Sequence, residues 1–395
     1  MSPKNKLVNR LHHLQPHLLR DEIAQKIAAT REESGTSMRS FLFYRAFVPY
    51  FYHLLRQPKY RKGLHGAAAF TGRCVGDPHL ENFGFMRPKP GGRLRFTMND
   101  PDDGGQGAPV FDLLRLLVGI RLYDKQFDLD HLFTPYCRGV RGQNTRTHAS
   151  RRLVKKALKK SHKKHPAGEL YTRCKPVRLT TADDDLDYGA PTPRTVLQIS
   201  QSIHAHFGGS HAVDDIIAFK KRGGGSGGLP QFRALLRRQK GNKKSPLGDY
   251  AVLDVKPLLR SGLYPRQCDD RSSLSGLCSL DPETIVRRVK KTLQWERGKH
   301  ASACLPTIIP GIGPVLLRLR QPGELGVSLK RIRDEKVSLR KLSKLEAAEL
   351  GKLHRDSMQN HHRTEYIAKI RNKKEKIIKQ AKRLAKRLRS DYTKL

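Results

Sequence analysis

The amino-acid sequence predicts an α+β fold with a mostly helical larger lobe and a smaller, strand-rich lobe. The chain has 395 residues and is 37% hydrophobic, which is enough apolar material to order two lobes of ordinary size. Apolar residues recur at helical spacing near both ends of the chain, and strand-like runs lie between them. We therefore predict that residues 1–205 and 323–395 form the helical lobe and that residues 206–322 form the strand-rich lobe.

Helical periodicity defines the larger lobe. The spacing of apolar residues predicts helices over Leu18–Glu33, Phe41–Leu55, residues 111–124, Leu342–Ser357 and Tyr366–Tyr392. The first two are the opening helices, and a turn at Ser34–Ser37 is expected to separate them. The last helix is intensely basic.

Strands and turns are expected in the middle of the chain. Short apolar runs at Phe83–Phe85 and Leu94–Met98 flank the chain-breaking Pro88–Gly92 and predict a β-hairpin. Pro, Thr, Asp and Gly accumulate at residues 176–212, where we expect a linker or surface excursion. In the strand-rich half a helix should begin at Asp281–Glu283, because the Asp can cap it and the following Pro suits the first helical position.

The composition bounds the partners of the chain. Lys and Arg total 78 against 36 Asp and Glu, a formal net charge of +42 that attracts polyanions such as nucleic acid, nucleotides or anionic membranes. A basic run at residues 151–164 adds to this charge, although a solvated helix face is the simpler explanation of the run. The six cysteines form no C-x-x-C pair, so we expect no zinc site and no disulfide framework, and reduced thiols in a cytoplasm fit best. No apolar stretch approaches the length that spans a bilayer.

The segment GDPHLEN (Gly76–Asn82) carries the strongest chemical signal. Asp77 precedes Asn82 by the spacing of a kinase catalytic loop, in which the Asp takes the proton of the acceptor hydroxyl and the Asn binds magnesium. Taken alone, this spacing favours an ordinary turn, because Asp and Asn are common turn formers. A second signal is therefore needed.

The second signal is the acidic run Asp100–Asp103, which follows a predicted strand. A carboxylate at the end of such a strand supplies the anionic ligand that Mg²⁺ needs while it bridges phosphate oxygens. A loop that caps the next helix would have a similar composition. With the two signals together, a metal site formed by Asn82, Asp100 and Asp102 is as well supported as a turn followed by a helix cap, and both interpretations stay open.

A glycine-rich run and a lysine predict the nucleotide site. The run comprises Gly223, Gly224, Gly225, Ser226 and Gly227. Glycines between two strands allow backbone N–H groups to approach phosphates, as in the lid over ATP in kinases, although a flexible loop has the same composition. Lys256 follows inside the strand-like YAVLDVK, where a kinase places the lysine that reaches the α- and β-phosphates.

These motifs, in this order, resemble one known family. SFLFYRA (Ser40–Ala46), GDPHLENFG (Gly76–Gly84) and FTMNDPDDGGQGAPVFDLLRL (Phe96–Leu116) are similar to the S-P-F-x-F-x-R-G, G-D-x-H-x-x-N-F-G and F-D-x-N-D-F-D-E segments of the mainly bacterial domain of unknown function 2252. The similarity continues with the glycine loop, the D-V-K strand, LRLRQ (Leu317–Gln321), LGKLHRDS (Leu350–Ser357) and a closing SDYTKL. The resemblance covers most of the chain.

The same motifs are also similar to the catalytic core of aminoglycoside and choline phosphotransferases, which have the protein-kinase-like fold. The resemblance implies that Asp77 is the catalytic base and that Asn82 and Asp100 bind the metal. It further implies that His79 orders the catalytic loop and that Asp112 is a structural carboxylate behind it.

In those phosphotransferases the glycine loop and the lysine precede the catalytic loop, whereas here they follow it. The resemblance therefore implies a two-lobed, circularly permuted kinase fold. It also implies an ATP- and Mg²⁺-dependent phosphotransferase that acts on an unidentified hydroxyl-bearing acceptor. The helix glutamate that would pair with Lys256 is either Glu283 or Glu296.

Two other functions stay open at the level of sequence. Pro78, Pro101 and Pro257 stand where the family usually has other residues, and a pseudokinase would bind nucleotide without transferring phosphate. A polyanion-binding protein would instead track the phosphates of RNA or DNA through its basic helices. The chain lacks an aromatic RNA-binding strand motif, and its acidic residues are concentrated at the proposed site, so the phosphotransferase is the favoured prediction.

Overall fold

Two hydrophobic cores organise the molecule. The larger core draws its buried side chains from residues 7–154 and 325–395 and from Leu263, whereas a smaller one lies within residues 199–319. The computed structural model describes residues 2–15, 18–31, 35–87, 92–143, 186–207, 211–221, 229–239, 249–263, 281–298, 303–321, 324–329 and 338–395, with single residues and short pieces at 89, 152–181 and 333.

Helices and strands alternate in blocks along the chain. The helices are α1 (Pro3–Leu14), α2 (Arg20–Ala29), α3 (Thr36–Ala46), α4 (Val48–Arg56), α5 (Pro58–Arg61), α6 (His65–Ala68), α7 (Pro109–Tyr123), α8 (Phe133–Arg141), α9 (Pro193–Phe207), α10 (Pro282–Arg297), α11 (Leu339–Ser357), α12 (Asn360–Asn372) and α13 (Lys374–Tyr392). The strands are β1 (Gly72–Cys74), β2 (Phe83–Met86), β3 (Arg95–Met98), β4 (Gly105–Gly107), β5 (Leu186–Gly189), β6 (His211–Lys221), β7 (Pro230–Arg238), β8 (Tyr250–Pro257), β9 (Cys304–Ile309), β10 (Gly313–Arg320) and β11 (Leu325–Gly326). This mixture of helix and sheet confirms the predicted α+β class.

The N-terminal helices differ from their predicted bounds. Helix α1 precedes both predicted opening helices, and the side chain of Ser2 caps it by accepting a hydrogen bond from the Asn5 backbone N–H at 3.2 Å. The prediction of one helix over Phe41–Leu55 is wrong, because α3 ends and α4 begins around Phe47. Pro49 lies in the first turn of α4 and has no N–H with which to continue the preceding helix.

Two further predicted boundaries are corrected by the structure. Of the two alternatives for residues 176–212, the linker is wrong, since the segment contains β5 and α9, and Ile199 and Ile203 of α9 are buried in the smaller core. The apolar pair at i and i+4 is the signal that marks this helix. The predicted helix over Tyr366–Tyr392 is divided between α12 and α13, which meet at Lys373.

Two local predictions are confirmed. Strands β2 and β3 form an antiparallel hairpin in which Phe83 lies opposite Met98. Helix α10 begins as expected, with the Asp281 carboxylate accepting a hydrogen bond from the Thr284 backbone N–H at 2.8 Å. Both features depend on residues that are close together in the sequence.

An antiparallel six-stranded sheet with the order β5-β6-β7-β8-β10-β9 forms the body of the strand-rich region. Side chains alternate across a strand, and on β8 Leu253 and Val255 enter the smaller core together with residues of α9. Asp254 and Lys256 therefore point to the other side of the sheet. A second sheet, β11-β2-β3, and the pair β1-β4 carry the loops of the candidate site.

Helix α7 runs through the larger core and is buried along nearly its whole length. Near it, α8 and α11 cross closely through two glycines: a Cβ on Gly139 would lie 2.2 Å from the Ala348 carbonyl oxygen, and a Cβ on Gly351 would lie 2.1 Å from that of Tyr136. Only glycine permits this approach. In the part of the chain that the structure describes, no helix combines the length and the apolar character needed to cross a membrane.

Candidate functional site

The loop between β1 and β2 holds the predicted catalytic residues in a tight turn. Gly76 has a φ of +79°, and a Cβ at this position would lie 2.1 Å from the carbonyl oxygen of Asp103. A glycine is therefore required both for the backbone conformation and for the contact with the acidic loop. The turn continues with backbone hydrogen bonds from His79 N to Asp77 O at 2.9 Å and from Asn82 N to His79 O at 2.8 Å.

A buried carboxylate fixes this loop from behind. Asp112, in the first turn of α7, is fully buried and accepts hydrogen bonds from the backbone N–H groups of Val75 at 2.6 Å and Gly76 at 3.2 Å. Its Oδ2 also lies 3.1 Å from Nε2 of His354, whose Nδ1 lies 2.7 Å from the hydroxyl of Tyr136. The start of the catalytic loop is thus tied through α7 to α11 and α8.

Asp77 is paired with a buried arginine that the sequence analysis did not select. Nε and Nη2 of Arg115 donate to the same Oδ1 of Asp77, at 2.8 and 2.5 Å, and the guanidinium lies 4.2 Å from the ring centroid of Tyr44. Burial raises the pKa of Asp77 to about 6, although the charge of Arg115 opposes this increase. Arg115 contacts only Oδ1 of this carboxylate. The other carboxylate oxygen, Oδ2, is therefore available to groups on the loop side of Asp77.

That second oxygen, Oδ2 of Asp77, faces His79, whose Nε2 lies 3.4 Å away. The Nδ1 atom of His79 accepts a hydrogen bond from the Glu81 backbone N–H at 3.2 Å, which assigns the ring proton to Nε2. Burial lowers the pKa of His79 well below its ordinary value, and the positive charges of Arg45 and Arg115 add to this effect. His79 is therefore a neutral donor directed at the Asp77 carboxylate.

Asn82 connects the catalytic loop with the acidic loop. Its side-chain Nδ2 donates to the carbonyl oxygen of Asp77 at 3.0 Å, so that its Oδ1 is the atom able to accept or to coordinate. Its own carbonyl oxygen accepts a hydrogen bond from the Asn99 backbone N–H at 3.1 Å. Asp100, the next residue, is thereby brought beside the catalytic loop.

Lys256, at the end of β8, reaches the acidic loop from the strand-rich region. Its Nζ lies 2.7 Å from Oδ2 of Asp100 and 2.5 Å from Oδ2 of Asp102, so residues 156 positions apart in the sequence meet at one point. Burial alone would raise the pKa of Asp100, but the Lys256 charge holds it below its ordinary value. Burial and the charge of Asp100 raise the pKa of Asp102 to about 7. The structure thus brings together three of the predicted site residues.

Helix α10 supplies arginines that position the acidic loop. Nη1 of Arg288 donates to the carbonyl oxygens of Asp102 at 2.5 Å and Gly104 at 2.6 Å, and Nη2 of Arg297 donates to that of Asn99 at 3.3 Å. Sequence reasoning missed these residues because α10 has several basic residues and nothing in the pattern distinguishes two of them. Arg115 did have a signal, since it is a charged residue within the apolar stretch FDLLRLLVGI.

The structure distinguishes the two candidate glutamates of α10. Glu283 is exposed in the first turn. Both carboxyl oxygens of Glu296 are buried and have no hydrogen-bond partner among the residues that the structure describes. Burial raises the pKa of Glu296 to about 8, Arg297 opposes the increase, and the negative charge of Asp100 adds to it. Lys256 pairs with Asp100 and Asp102 rather than with either glutamate.

The remaining predictions concern the metal and the glycine loop. Gly223, Gly224, Gly225, Ser226 and Gly227 lie outside the described residues, as does most of the basic run at 151–164. Within the described ranges, no three His, Cys, Asp or Glu side chains are grouped as a metal site. The candidate cation site accordingly consists of two carboxylates, Asp100 and Asp102, with the Asn82 amide nearby and the Lys256 ammonium between the carboxylates.

Comparison with known protein families finds a match for the region that contains both loops. Residues 36–132 match the family described as "Uncharacterized protein conserved in bacteria (DUF2252)". The matched segment contains both the predicted catalytic loop and the acidic loop. No curated protein and no solved structure matches the chain. The match confirms the predicted resemblance over this segment: residues 36–132 are similar to the family called domain of unknown function 2252.

Proposed function

We propose that the chain is an ATP- and Mg²⁺-dependent phosphotransferase with a circularly permuted, kinase-like arrangement of its two lobes. The observation that carries this proposal is the contact of Lys256 with Asp100 and Asp102. A nucleotide site of the kinase type needs a strand lysine, metal-binding carboxylates and a catalytic loop in one place. The contact supplies this convergence, although the lysine follows the catalytic loop in the chain.

The donor atoms of the site fit a magnesium ion. Carboxylate and amide oxygens are the ligands that hard divalent cations prefer, and Asp100, Asp102 and Asn82 offer only such atoms. Oδ1 of Asp102 is buried and has no hydrogen-bond partner among the described residues, so it is an acceptor that a cation would satisfy. Asn82, Asp100 and Asp102 would hold the metal, and Lys256 would hold nucleotide phosphates.

Asp77 has the properties of a general base for an acceptor hydroxyl. With a pKa raised to about 6, its carboxylate is mostly ionised at pH 7 yet is more basic than an ordinary aspartate. Arg115 holds Oδ1 and leaves Oδ2 to accept the proton. His79 orients this oxygen from the side of the loop. Bound Mg²⁺–ATP would supply the phosphoryl group and the charge neutralisation that the transfer requires.

Two aspartate variants test the assignment. Asp77→Asn should lower ATP turnover by roughly a hundred- to ten-thousand-fold, as general acid–base groups do, while Mg²⁺–ATP still binds. Asp100→Asn should weaken Mg²⁺-dependent ATP binding and turnover together. The exposed Asp21→Asn is the matched control and should change neither. Binding is followed by thermal denaturation with ATP, with Mg²⁺ and with both, and turnover by phosphate transfer or release.

The outcomes separate the competing functions. Folded Asp77→Asn and Asp100→Asn proteins that keep the parental turnover would refute the proposed site. A parent that binds Mg²⁺–ATP without turning it over is a pseudokinase. Equal stabilisation of the parent by ATP and by heparin would leave only general attraction between the basic chain and polyanions.

A further inference from the structure

A second surface, distinct in composition from the acidic site, is concave and cationic. A cavity of about 500 Å³ lies against α4, α5 and α6 and is lined by Arg56, Pro58, Lys59, Arg61, Lys62 and His65. Five of these six side chains are basic or can become so, and none is acidic. A cavity with this lining attracts anions and repels cations.

A stripe of cations on α13 borders this cavity. Lys376, Lys379, Arg383 and Lys386 are exposed and recur every three or four residues, so they lie on one face of the helix. From the 1.5 Å rise per residue, the stripe is about 15 Å long. We call the cavity lining and these four residues the cationic face.

Side-chain contacts join the two halves of the cationic face. Nη1 of Arg383 lies 3.5 Å from the carbonyl oxygen of Lys59, and Nε2 of Gln380 donates to the carbonyl oxygen of Lys62 at 2.9 Å. The side chain of Lys376 covers Gly63, where an added Cβ would lie 2.9 Å from Cδ of the lysine. The cavity and the helical stripe are therefore one continuous surface.

Two other cations of α13 are paired with carboxylates, whereas those of the stripe are not. Lys374 pairs with Asp130 at 2.7 Å, and Arg387 pairs with Asp391 at 2.5 Å. In the described part of the chain, none of the four stripe residues forms an ion pair with a carboxylate. Glu375, in the first turn of α13, is a single carboxylate beside four cations, so the cations still repel one another in the folded state. A bound polyanion would remove this repulsion.

We propose that the cationic face binds the phosphodiester backbone of a nucleic acid without reading its sequence. A stripe of about 15 Å, extended by the cavity, can contact several successive phosphates. Tyr60 of α5 is buried, so its ring is not available for base stacking. Backbone contacts alone give sequence-independent binding.

The distribution of exposed apolar residues favours nucleic acid over a lipid surface. Among the described residues, the exposed large apolar side chains are Leu19, Leu197 and Ile308. None of them belongs to α4, α5, α6 or α13. Helices that lie in a membrane interface insert an apolar face beside their charged one, and the cationic face has no such neighbour.

The test measures binding of fluorescently labelled 20-nucleotide RNA and DNA, single- and double-stranded, by anisotropy over a series of salt concentrations. The quadruple variant K376Q/K379Q/R383Q/K386Q should lower the slope of log affinity against log salt by roughly 3, from about 0.7 to 0.9 per lost phosphate contact. Its affinity at constant salt should fall about tenfold or more. A second variant, K59Q/K62Q, should lower the slope by roughly 1 to 2.

The control removes the same charge from other surfaces. K4Q/K6Q/K125Q/K341Q alters four exposed lysines outside the cationic face and should leave the slope nearly unchanged. Equal losses in the control and the stripe variant would overturn the proposal, and so would tighter binding of the parent to vesicles of anionic phospholipid than to either nucleic acid. ATP turnover by the stripe variant should match the parent, so this inference and the phosphotransferase proposal can fail separately.

Discussion

Two ion-paired regions meet at the candidate site, and they differ in how firmly they are enclosed. The Arg115 side chain that pairs with Asp77 is completely buried, and aromatic rings cover its guanidinium. The side chains of Lys256 and Asp100 are 18% and 39% exposed. A buried pair cannot separate without leaving an uncompensated charge, whereas a partly exposed pair exchanges partners at small cost. The first region is therefore suited to hold a carboxylate in place, and the second is suited to exchange a lysine for another cation.

Position in the fold produces this difference. Asp77 and Arg115 both belong to the larger core, where α7 carries the arginine one turn after Asp112. Lys256 comes from the six-stranded sheet and meets the acidic loop from outside that core. The predicted catalytic loop is therefore held by contacts within one core, whereas the candidate cation site depends on how two parts of the chain meet.

We expect the largest effect when the enclosed pair, the buried Arg115 with Asp77, is broken. Arg115→Met should lower the free energy of unfolding by about 3–5 kcal/mol, because the variant leaves the buried Asp77 carboxylate without its partner. Equilibrium denaturation in urea measures this change. The control Arg138→Met alters an exposed arginine of α8 and should stay within about 0.5 kcal/mol of the parent. Similar values for the two variants would remove the distinction between the enclosed and the open pair.

The next effect concerns Glu296, a buried carboxyl group near the partly exposed pair of Lys256 and Asp100, which we call the open region. Its folded pKa of about 8 lies above the ordinary value of 4.5, so the folded state holds a proton that the unfolded state has released. The stability that this proton contributes is present below pH 4.5 and is lost as the pH rises to about 8, by at most about 1.4 kcal/mol per pH unit. Glu296→Gln should therefore gain stability relative to the parent as the pH rises from 5 to 8.

Thermal denaturation across this pH range measures the gain. Glu283→Gln, at the exposed start of the same helix, is the matched control and should differ from the parent by a constant amount. A Glu296→Gln protein whose difference from the parent is equally constant would show that Glu296 is ionised in the folded state. Glu296 would then have a cationic partner, and the open region would be better neutralised than the structure indicates.

The third effect is the pH at which each region gains a proton: Asp77 in the enclosed region and Asp102 in the open region. If Asp77 is the base, kcat/KM at saturating Mg²⁺ should fall about tenfold per pH unit below its pKa of about 6 and should level off above pH 7. Asp102, with a pKa raised to about 7, should instead weaken Mg²⁺ affinity as the pH falls below 7, because its protonated form does not bind a cation. Profiles of kcat/KM against pH, measured at limiting and at saturating Mg²⁺, separate the effects of Asp77 and Asp102. If the profile at saturating Mg²⁺ begins to fall near pH 7 rather than near pH 6, the assignment of Asp77 is contradicted.

Much of this site was accessible from the sequence because its signals are local. Asp77 and Asn82 lie within one turn, the hairpin of Phe83 and Met98 is short, and the cap at Asp281 acts three residues ahead. The contact of Lys256 with Asp100 is different, since neither periodicity nor spacing relates residues 156 positions apart. Its expectation depended on the resemblance to kinase-like proteins, and the chemical roles of the two residues stay predictions.

Other features were inaccessible for physical reasons. The division of Phe41–Leu55 into two helices depends on one proline within an otherwise continuous apolar pattern. Helix α9 was not predicted, because the Pro and Thr residues that precede it are typical of a linker. The roles of Arg115 and Arg288 depend on which carboxylate and carbonyl oxygens the fold brings to them, and a single sequence gives no sign of such partners.

The smallest expected effect on stability tests whether the open pair can exchange its cation. Lys256→Met should change the free energy of unfolding in the absence of divalent ions by about 1 kcal/mol or less, because partly exposed ion pairs contribute little. The variant leaves Asp100 and Asp102 side by side without the ammonium group that neutralises them. Added Mg²⁺ should therefore raise the melting temperature of Lys256→Met more than that of the parent, where the ion must displace the lysine. Lys256→Arg keeps the charge and should respond to Mg²⁺ as the parent does. If Mg²⁺ stabilises all three proteins equally, the two carboxylates do not form a cation site, and the lysine at the open pair has the same fixed structural role as Arg115 at the enclosed one.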